Sequence, residues 1–455
     1  MGQIVAHHLN FAAMQNTNLF SDPSLRLTLV FAAVLMLGLL LKFWLSSRQI
    51  RHVALHREQV PAAFAQTITL AAHQKAADYT VAKARLGLME MMLGTVVQLS
   101  WTLLTGLSAL NQALVSWLGT GLLQQLALLT CFALISGLID LPLSLYQTFV
   151  LEEQFGFNKT TFKLWLLDML KGSLIGALIG LPIAALILWM MGASGGLWWL
   201  WAWGVWMGFN LLLLVIYPTL IAPIFNKFTP LQDEAVKARV TALMQRCGFS
   251  AKGLFVMDGS KRSAHANAYF TGFGAAKRVV FFDTLLSKLS PAEVDAVLAH
   301  ELGHFKHKHI VKRIVSMFAM SLAGFALLGW LATQTWFYVG LGVMPNVAAP
   351  NDALALLLFL LAMPVFSFFI SPLFAQLSRK HEFEADAYAV QQTSGQDLST
   401  ALLKLYEDNA STLTPDPVYV AFYYSHPGAS ERLARMVPAL AQNSVSANSA
   451  TALTK

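Results

Sequence analysis

Hydrophobic residues in this chain run in long blocks, and the polar residues gather between them. Seven stretches, residues 27–46, 86–107, 121–141, 173–191, 197–222, 314–336 and 353–372, are uncharged or nearly so. Each is close to the ~20 apolar residues that cross a bilayer as a helix. The pattern predicts a predominantly α-helical polytopic membrane protein with seven transmembrane helices. Between the fifth and sixth blocks the period changes. Residues 233–247 carry helical spacing, while Leu254-Phe255-Val256-Met257 and Val279-Val280-Phe281-Phe282 read as strands. A further extended run, Asn267 to Thr271, lies between those strands, with Gly272-Phe273-Gly274 as a turn. The expected division is residues 1–224 for helices one to five with their loops, and 225–313 for a small α+β domain. Helices six and seven follow in 314–377, then a polar segment in 378–441. The Ser/Ala/Asn-rich tail 442–455 is predicted to be disordered.

Composition reinforces the membrane reading. The chain is 56% hydrophobic and only 12% charged, with a mean hydropathy of +0.56, more apolar than an ordinary soluble surface tolerates. The first apolar block begins too late, and lacks the short polar cleavage site, for a signal peptide. Lysine and arginine then orient the helices. The segment after the first span carries Arg48, Arg51, Arg57, Lys75, Lys83 and Arg85, and the long segment after the fifth is basic as well. Loops after spans two, four and six hold neither residue type. The N-terminus is therefore expected outside, with residues 225–313 and 378–441 in the cytoplasm. The net charge of +7 is explained by this topology without a nucleic-acid partner. Cys131 and Cys247 fall in a span and in the polar domain, so no disulfide framework is expected. Trp198, Trp199, Trp201, Trp203 and Trp206 read as an outer interfacial belt.

The chemistry centres on His300-Glu301-Leu302-Gly303-His304. Two imidazoles four residues apart on a helix share one face and can bind one zinc ion, and the adjacent Glu301 is placed as general base toward water. Ser290, Pro291 and Glu293 have the spacing of an N-cap, a first helical proline and a capping box. A catalytic zinc needs a third protein ligand. The metzincin pattern is ruled out, because His307 stands at its glycine position and Ile310 at its third histidine. A better source is the segment Ser378-Arg379-Lys380-His381-Glu382-Phe383-Glu384-Ala385-Asp386. Glu382 and Asp386 share a helical face, one suited to the metal and the other to holding a ligand histidine by its second nitrogen. Glu384 points off that face, and His381 is the rival ligand. His307 and His309, with Lys306 and Lys308, read as the cationic end of the helix, not as a second metal site.

These segments together resemble the type I CAAX prenyl endopeptidases, integral-membrane zinc proteases. The resemblance extends to Phe155-Gly156-Phe157-Asn158, to the stretch from Gly259 to Tyr269, and to Tyr424-Ser425-His426-Pro427-Gly428 through Leu433. Gly428 departs from the second proline often found there. The resemblance implies one zinc held by His300, His304 and Glu382, with Asp386 behind a ligand and Glu301 as general base. It assigns His426 and Arg432 to stabilising the tetrahedral intermediate and orienting active-site groups. It also implies a large hydrated chamber enclosed by the seven helices. The edge strand carrying Asn267, Ala268 and Tyr269 is expected to take an extended substrate as an added strand. The resemblance implies a peptide or protein substrate in contact with membrane lipid, since family members remove the last three residues of prenylated CAAX proteins. A bacterial quality-control protease acting without prenyl groups is the enzymatic alternative. A transporter with a structural zinc is the other, and Glu301 argues against it.

Overall fold

A computed structural model of the chain describes residues 21–250, 253–271 and 278–436. The Gly272–Gly274 turn and the 442–455 tail lie outside the described residues. Helix α1 (Pro23–Leu55) opens the membrane part with Asp22 as N-cap, its carboxylate accepting from the Ser24 amide at 2.9 Å. It is followed by α2 (Leu70–Trp101), α3 (Gly106–Leu118), α4 (Leu122–Tyr146), α5 (Phe162–Ala193) and α6 (Trp198–Ile216). After the polar domain come α8 (Pro291–Lys306) and α9 (His309–Leu331), with α7 (Glu234–Arg246) earlier in that domain. Among the described residues six helices are long and apolar enough to cross a membrane, and a seventh if the bent pair α2–α3 is one span.

That pair changes the expected second span. The helix stops at Trp101, Thr105 turns left-handed at φ 63°, and the chain restarts 49° away at Gly106. A Cβ at Gly106 would collide with the Ser100 carbonyl, so the fold-back requires glycine there. Two other helices continue through π-helical turns, at Gln147–Leu151 and Tyr217–Ile221. The second contains Pro218, which lacks the N–H needed to continue an α ladder.

Side chains such as Leu40, Leu178 and Leu212 are exposed along these helices, while Phe31, Leu107, Leu128, Leu341 and Leu358 are buried in one apolar cluster. Large apolar side chains exposed on long apolar helices suit a lipid surround. The expected helix seven is longer than its apolar block. Helix α10 (Asp352–Ser367) passes through one 3₁₀ turn into α11 (Ser371–Gln392), giving a 41-residue rod from Asp352 to Gln392. Helices α12 (Gly395–Asp408) and α13 (Pro417–Tyr423) are the last two helices among the described residues.

The polar domain holds a four-stranded sheet in the order β1-β2-β4-β3, with β1 (Phe228–Pro230), β2 (Gly253–Met257), β3 (Ala268–Thr271) and β4 (Arg278–Phe282). Strands β2 and β4 run parallel, and β3 pairs antiparallel to β4 alone. The three expected strands are present, and β1 is an addition. It has only three residues and ends at Pro230, which an edge strand tolerates. A second core packs this sheet, α7 and α12 around α8, through Val240, Phe281, Leu298 and Ala401. The loop at Phe157 ties the two halves together. Asn158 bridges Ser263, the Ala264 amide donates to the Phe157 carbonyl at 3.1 Å, and the Phe157 ring stacks on His265.

Candidate metal and catalytic site

Helix α8 starts as its sequence dictates. Ser290 is the N-cap, and its amide donates to Glu293 Oε2 at 2.7 Å while its hydroxyl accepts from the Glu293 amide. Glu293 also receives Lys404 Nζ at 2.8 Å, which fixes the helix start to α12. One face of α8 lies against α11 at very short range. A Cβ at Gly303 would stand 2.9 Å from Ala385 Cα and 3.2 Å from Tyr388 Cβ. Glycine inside the histidine motif is thus what allows the two helices to bring their side chains onto one centre.

That centre gathers His300, His304 and Glu382, with one potential ligand atom from each within 4.8 Å of the others. His300 Nε2 and His304 Nε2 face each other at 3.3 Å. The Glu382 carboxylate lies 3.4 Å from His300 Nε2 and 3.5 Å from His304 Nε2. Its Oε2 is buried without a hydrogen-bond donor. Two imidazole nitrogens converging on a buried carboxylate oxygen that lacks a donor form a donor set of zinc type. The residues fit the metal.

Behind His300, Asp386 Oδ1 receives Nδ1 at 2.8 Å. Arg432 grips the same carboxylate with two bonds, Nε to Oδ2 at 2.8 Å and a terminal nitrogen to Oδ1 at 2.5 Å. Both members of the pair are buried. Burial works to raise the Asp386 carboxyl, but Arg432 and then His300 outweigh it and hold it down at about 2. Asp386 therefore stays a carboxylate and fixes Nδ1 of His300 as the protonated nitrogen, leaving Nε2 for the centre. Glu301, one residue on, has no hydrogen-bond partner among the described residues, and burial pushes its carboxyl above the usual range.

The support behind His304 was not anticipated. His304 Nδ1 lies 3.0 Å from His309 Nδ1, and His309 Nε2 lies 2.8 Å from Glu384 Oε2. His309 is buried, not part of an exposed cationic helix end, and His381 stacks on it with ring centres 4.0 Å apart. The rival ligand His381 thus belongs to this second cluster and not to the first. His309, His381 and Glu384 also converge within 4.8 Å, but the tautomers decide their use. When His304 offers Nε2 to a metal, its Nδ1 carries the proton and donates to His309 Nδ1. His309 must then be protonated at Nε2, toward Glu384, and has no lone pair left for a second ion. One sequence signal points here: His309 follows His304 by five residues across Lys308, whose left-handed φ of 56° returns the chain toward the centre.

Of the remaining expected residues, His426 and Arg432 reach this cluster. His426 Nε2 lies 3.4 Å from Glu382 Oε1, on a side chain still 64% exposed. Arg432 directs both of its bonds to Asp386. Asn267 folds its side chain onto the Ala268 amide at 2.8 Å, and its carbonyl accepts from Phe282 N at 3.0 Å. Ala268 and Tyr269 lie on β3, whose second edge pairs with no described strand.

Residues 49–227 match the CAAX prenyl protease N-terminal family, described as five membrane helices, and residues 230–438 match peptidase family M48. CAAX prenyl protease 1 of Saccharomyces cerevisiae is 39% identical over 328 residues, covering 68% of this chain and 71% of the yeast protein. The mouse homologue of CAAX prenyl protease 1 is 32% identical over 452 residues, covering 89% of this chain and 94% of its own. The crystal structure of S. mikatae Ste24p superimposes with a TM-score of 0.83 at 32% identity, covering 90% of this chain and 99% of that one.

Proposed function

This chain belongs to the CAAX prenyl protease 1 family, M48 zinc metallopeptidases with an N-terminal membrane domain, and from that premise we propose how its residues divide the work. It is an integral-membrane metalloendopeptidase. Its proposed substrates are prenylated CAAX proteins, cut near the C-terminus while that tail is extended. The observation that carries the proposal is the convergence of His300, His304 and Glu382 beside the unpartnered Glu301.

His300, His304 and Glu382 would hold the zinc, which when bound supplies a Lewis acid for the scissile carbonyl and lowers the pKa of water. Glu301 takes the proton of the attacking water and passes it to the leaving amine. His426, near Glu382 yet largely exposed, donates to the oxyanion that develops on the carbonyl. Arg432 acts through Asp386, holding His300 in one tautomer. The unpaired edge of β3, from Asn267 through Tyr269, supports a reading in which the substrate joins the sheet as a fifth strand. A folded substrate cannot do this, since its own backbone bonds occupy the pairing groups. The lysine and arginine distribution supports a cytoplasmic location for the site.

Glu301→Gln tests the assignment. The variant is expected to keep its zinc and its fold, measured by metal analysis and thermal unfolding, and to lose peptide hydrolysis, because an amide cannot accept the proton. Turnover like the wild type would remove Glu301 from the mechanism.

A further inference from the structure

A cavity of about 940 Å³ has Asn267, His426 and Arg432 in its wall, and His426 Nε2 lies 3.4 Å from Glu382 Oε1. The rest of the wall comes from helices α1, α2, α12 and α13 and their loops. Its charged lining is one-sided: Lys42, Lys83 and Arg432 contribute positive groups, and no aspartate or glutamate lines it. Arg432 is already matched to Asp386. Lys42 and Lys83 are ion-paired to no described carboxylate. Each ammonium rests instead near an aromatic ring, Lys42 Nζ 4.6 Å from the Phe368 centroid and Lys83 Nζ 5.0 Å from that of Tyr79. Nearby basic groups show the contrast, with Arg48 held by Asp416, Arg57 by Asp78 and Lys404 by Glu293.

The position of Lys42 sharpens the point. It interrupts the run Leu39-Leu40-Leu41-Lys42-Phe43-Trp44 in a helix that spans the membrane. An ionisable group in such a helix is costly, and it persists where it faces protein or a water-filled space and has a partner. Here no described carboxylate serves as the partner. Two cations on adjacent helices, directed at one cavity with no counter-charge in its wall, are complementary to an anion that arrives with the substrate.

We propose that Lys42 and Lys83 bind the free α-carboxylate at the C-terminus of the substrate, and so set how far from the chain end the cut falls. The proposal rests on the peptidase reading above and specifies its substrate determinant. The same wall holds His426 and Asn267, so a carboxylate held by the two lysines leaves the preceding residues of the chain end directed toward the proposed catalytic side of the cavity. Tyr79, Tyr406 and Tyr424 lie in the same wall; the Tyr79 hydroxyl donates to Glu152 and the Tyr406 hydroxyl to the Pro427 carbonyl, so the two ammonium groups are the polar groups left to meet a ligand charge.

The test compares one prenylated peptide as the free acid and as the C-terminal carboxamide, in neutral detergent without anionic lipid. Charge-assisted hydrogen bonds predict that the wild type favours the acid by on the order of 10-fold or more in kcat/KM, mainly through KM. Lys42→Met combined with Lys83→Met should bring the two substrates within about 2-fold of each other, and Lys42→Arg should restore part of the preference. Equal cleavage of acid and amide by the wild type would overturn the carboxylate site and leave the peptidase reading standing; cleavage of neither would sink both. An anionic lipid headgroup as the true ligand would show differently. Phosphatidylglycerol would then alter wild-type turnover of both peptides equally, and the lysine variants would be insensitive to it. That result also overturns the proposal.

Discussion

The two candidate ligand histidines sit one turn apart on the same helix, yet they are supported in different ways. His300 backs onto Asp386, which is locked by two bonds to Arg432, and all three are buried. His304 backs onto His309 and then Glu384, whose side chain is 31% exposed. One support is an ion pair withdrawn from water, and the other is a neutral ring leading to a partly wet carboxylate. The difference shows that a metal site has a rigid side and a forgiving side. Removing one member of a buried pair leaves an uncompensated charge, whereas a carboxylate near water can be replaced by solvent.

The sharpest way to break this comparison is Asp386→Asn. It strands the Arg432 guanidinium without its counter-charge and should cost about 3–5 kcal/mol, the range for breaking a buried ion pair. The expected result is a large drop in thermal midpoint together with loss of zinc. A stability equal to the wild type would show that the pair is not the rigid support it looks to be. On the other side, Glu384→Gln should leave the thermal midpoint nearly unchanged. It should weaken zinc binding by about 10-fold, the low end for outer-shell partners of a ligand histidine. Chelator competition measures this, and a loss as large as that of Asp386→Asn would erase the asymmetry.

The smallest effect is expected at the start of the zinc helix, remote from both supports. Burial works to raise the Glu293 carboxyl, but Lys404 and the Ser290 amide outweigh it and hold it below its ordinary value of 4.5. A lowered folded value means that the Glu293 contribution is fully present above the ordinary glutamate range. It is lost as the pH falls through the lowered value. Glu293→Gln keeps the capping geometry and should cost no more than about 1 kcal/mol at neutral pH. The measurement is the thermal midpoint of both proteins from pH 7 downward. Their difference should shrink on acidification, and a constant difference would mean that charge plays no part.

What could be read from the sequence follows the range of the interactions. The histidine motif, its cap and the Glu382–Asp386 pair are local, and helical period alone places each on a face. The His309–Glu384 contact joins residues 75 positions apart. Glu384 lies off the ligand face of its helix, so what it meets depends on how α8 and α9 turn at Lys308. In the polar domain, alternating and 3.6-residue patterns mark which side is buried, and three of the four strands and α7 could be found. In the membrane part the apolar residues surround each helix, so lengths are legible and packed faces are not. The break at Thr102–Gly106 is hidden for that reason, because the steric collision that demands glycine involves a carbonyl and not a side-chain pattern.

The spacing of the site along the chain also sets a schedule. His300 and Asp386 are 86 residues apart, and Asp386 and Arg432 a further 46. One membrane-crossing helix, His309–Leu331, and the apolar part of a second, the rod from Asp352, must be made between the first histidine and Glu382. At bacterial or eukaryotic synthesis rates the interval from His300 to Arg432 is on the order of ten seconds. Until Glu382 and Asp386 follow within that interval, the growing chain carries two histidines and a glutamate with neither a third ligand nor a fixed tautomer for His300. A protease assembled in this order cannot complete its proposed metal site before the chain of its last membrane-crossing helix has been made.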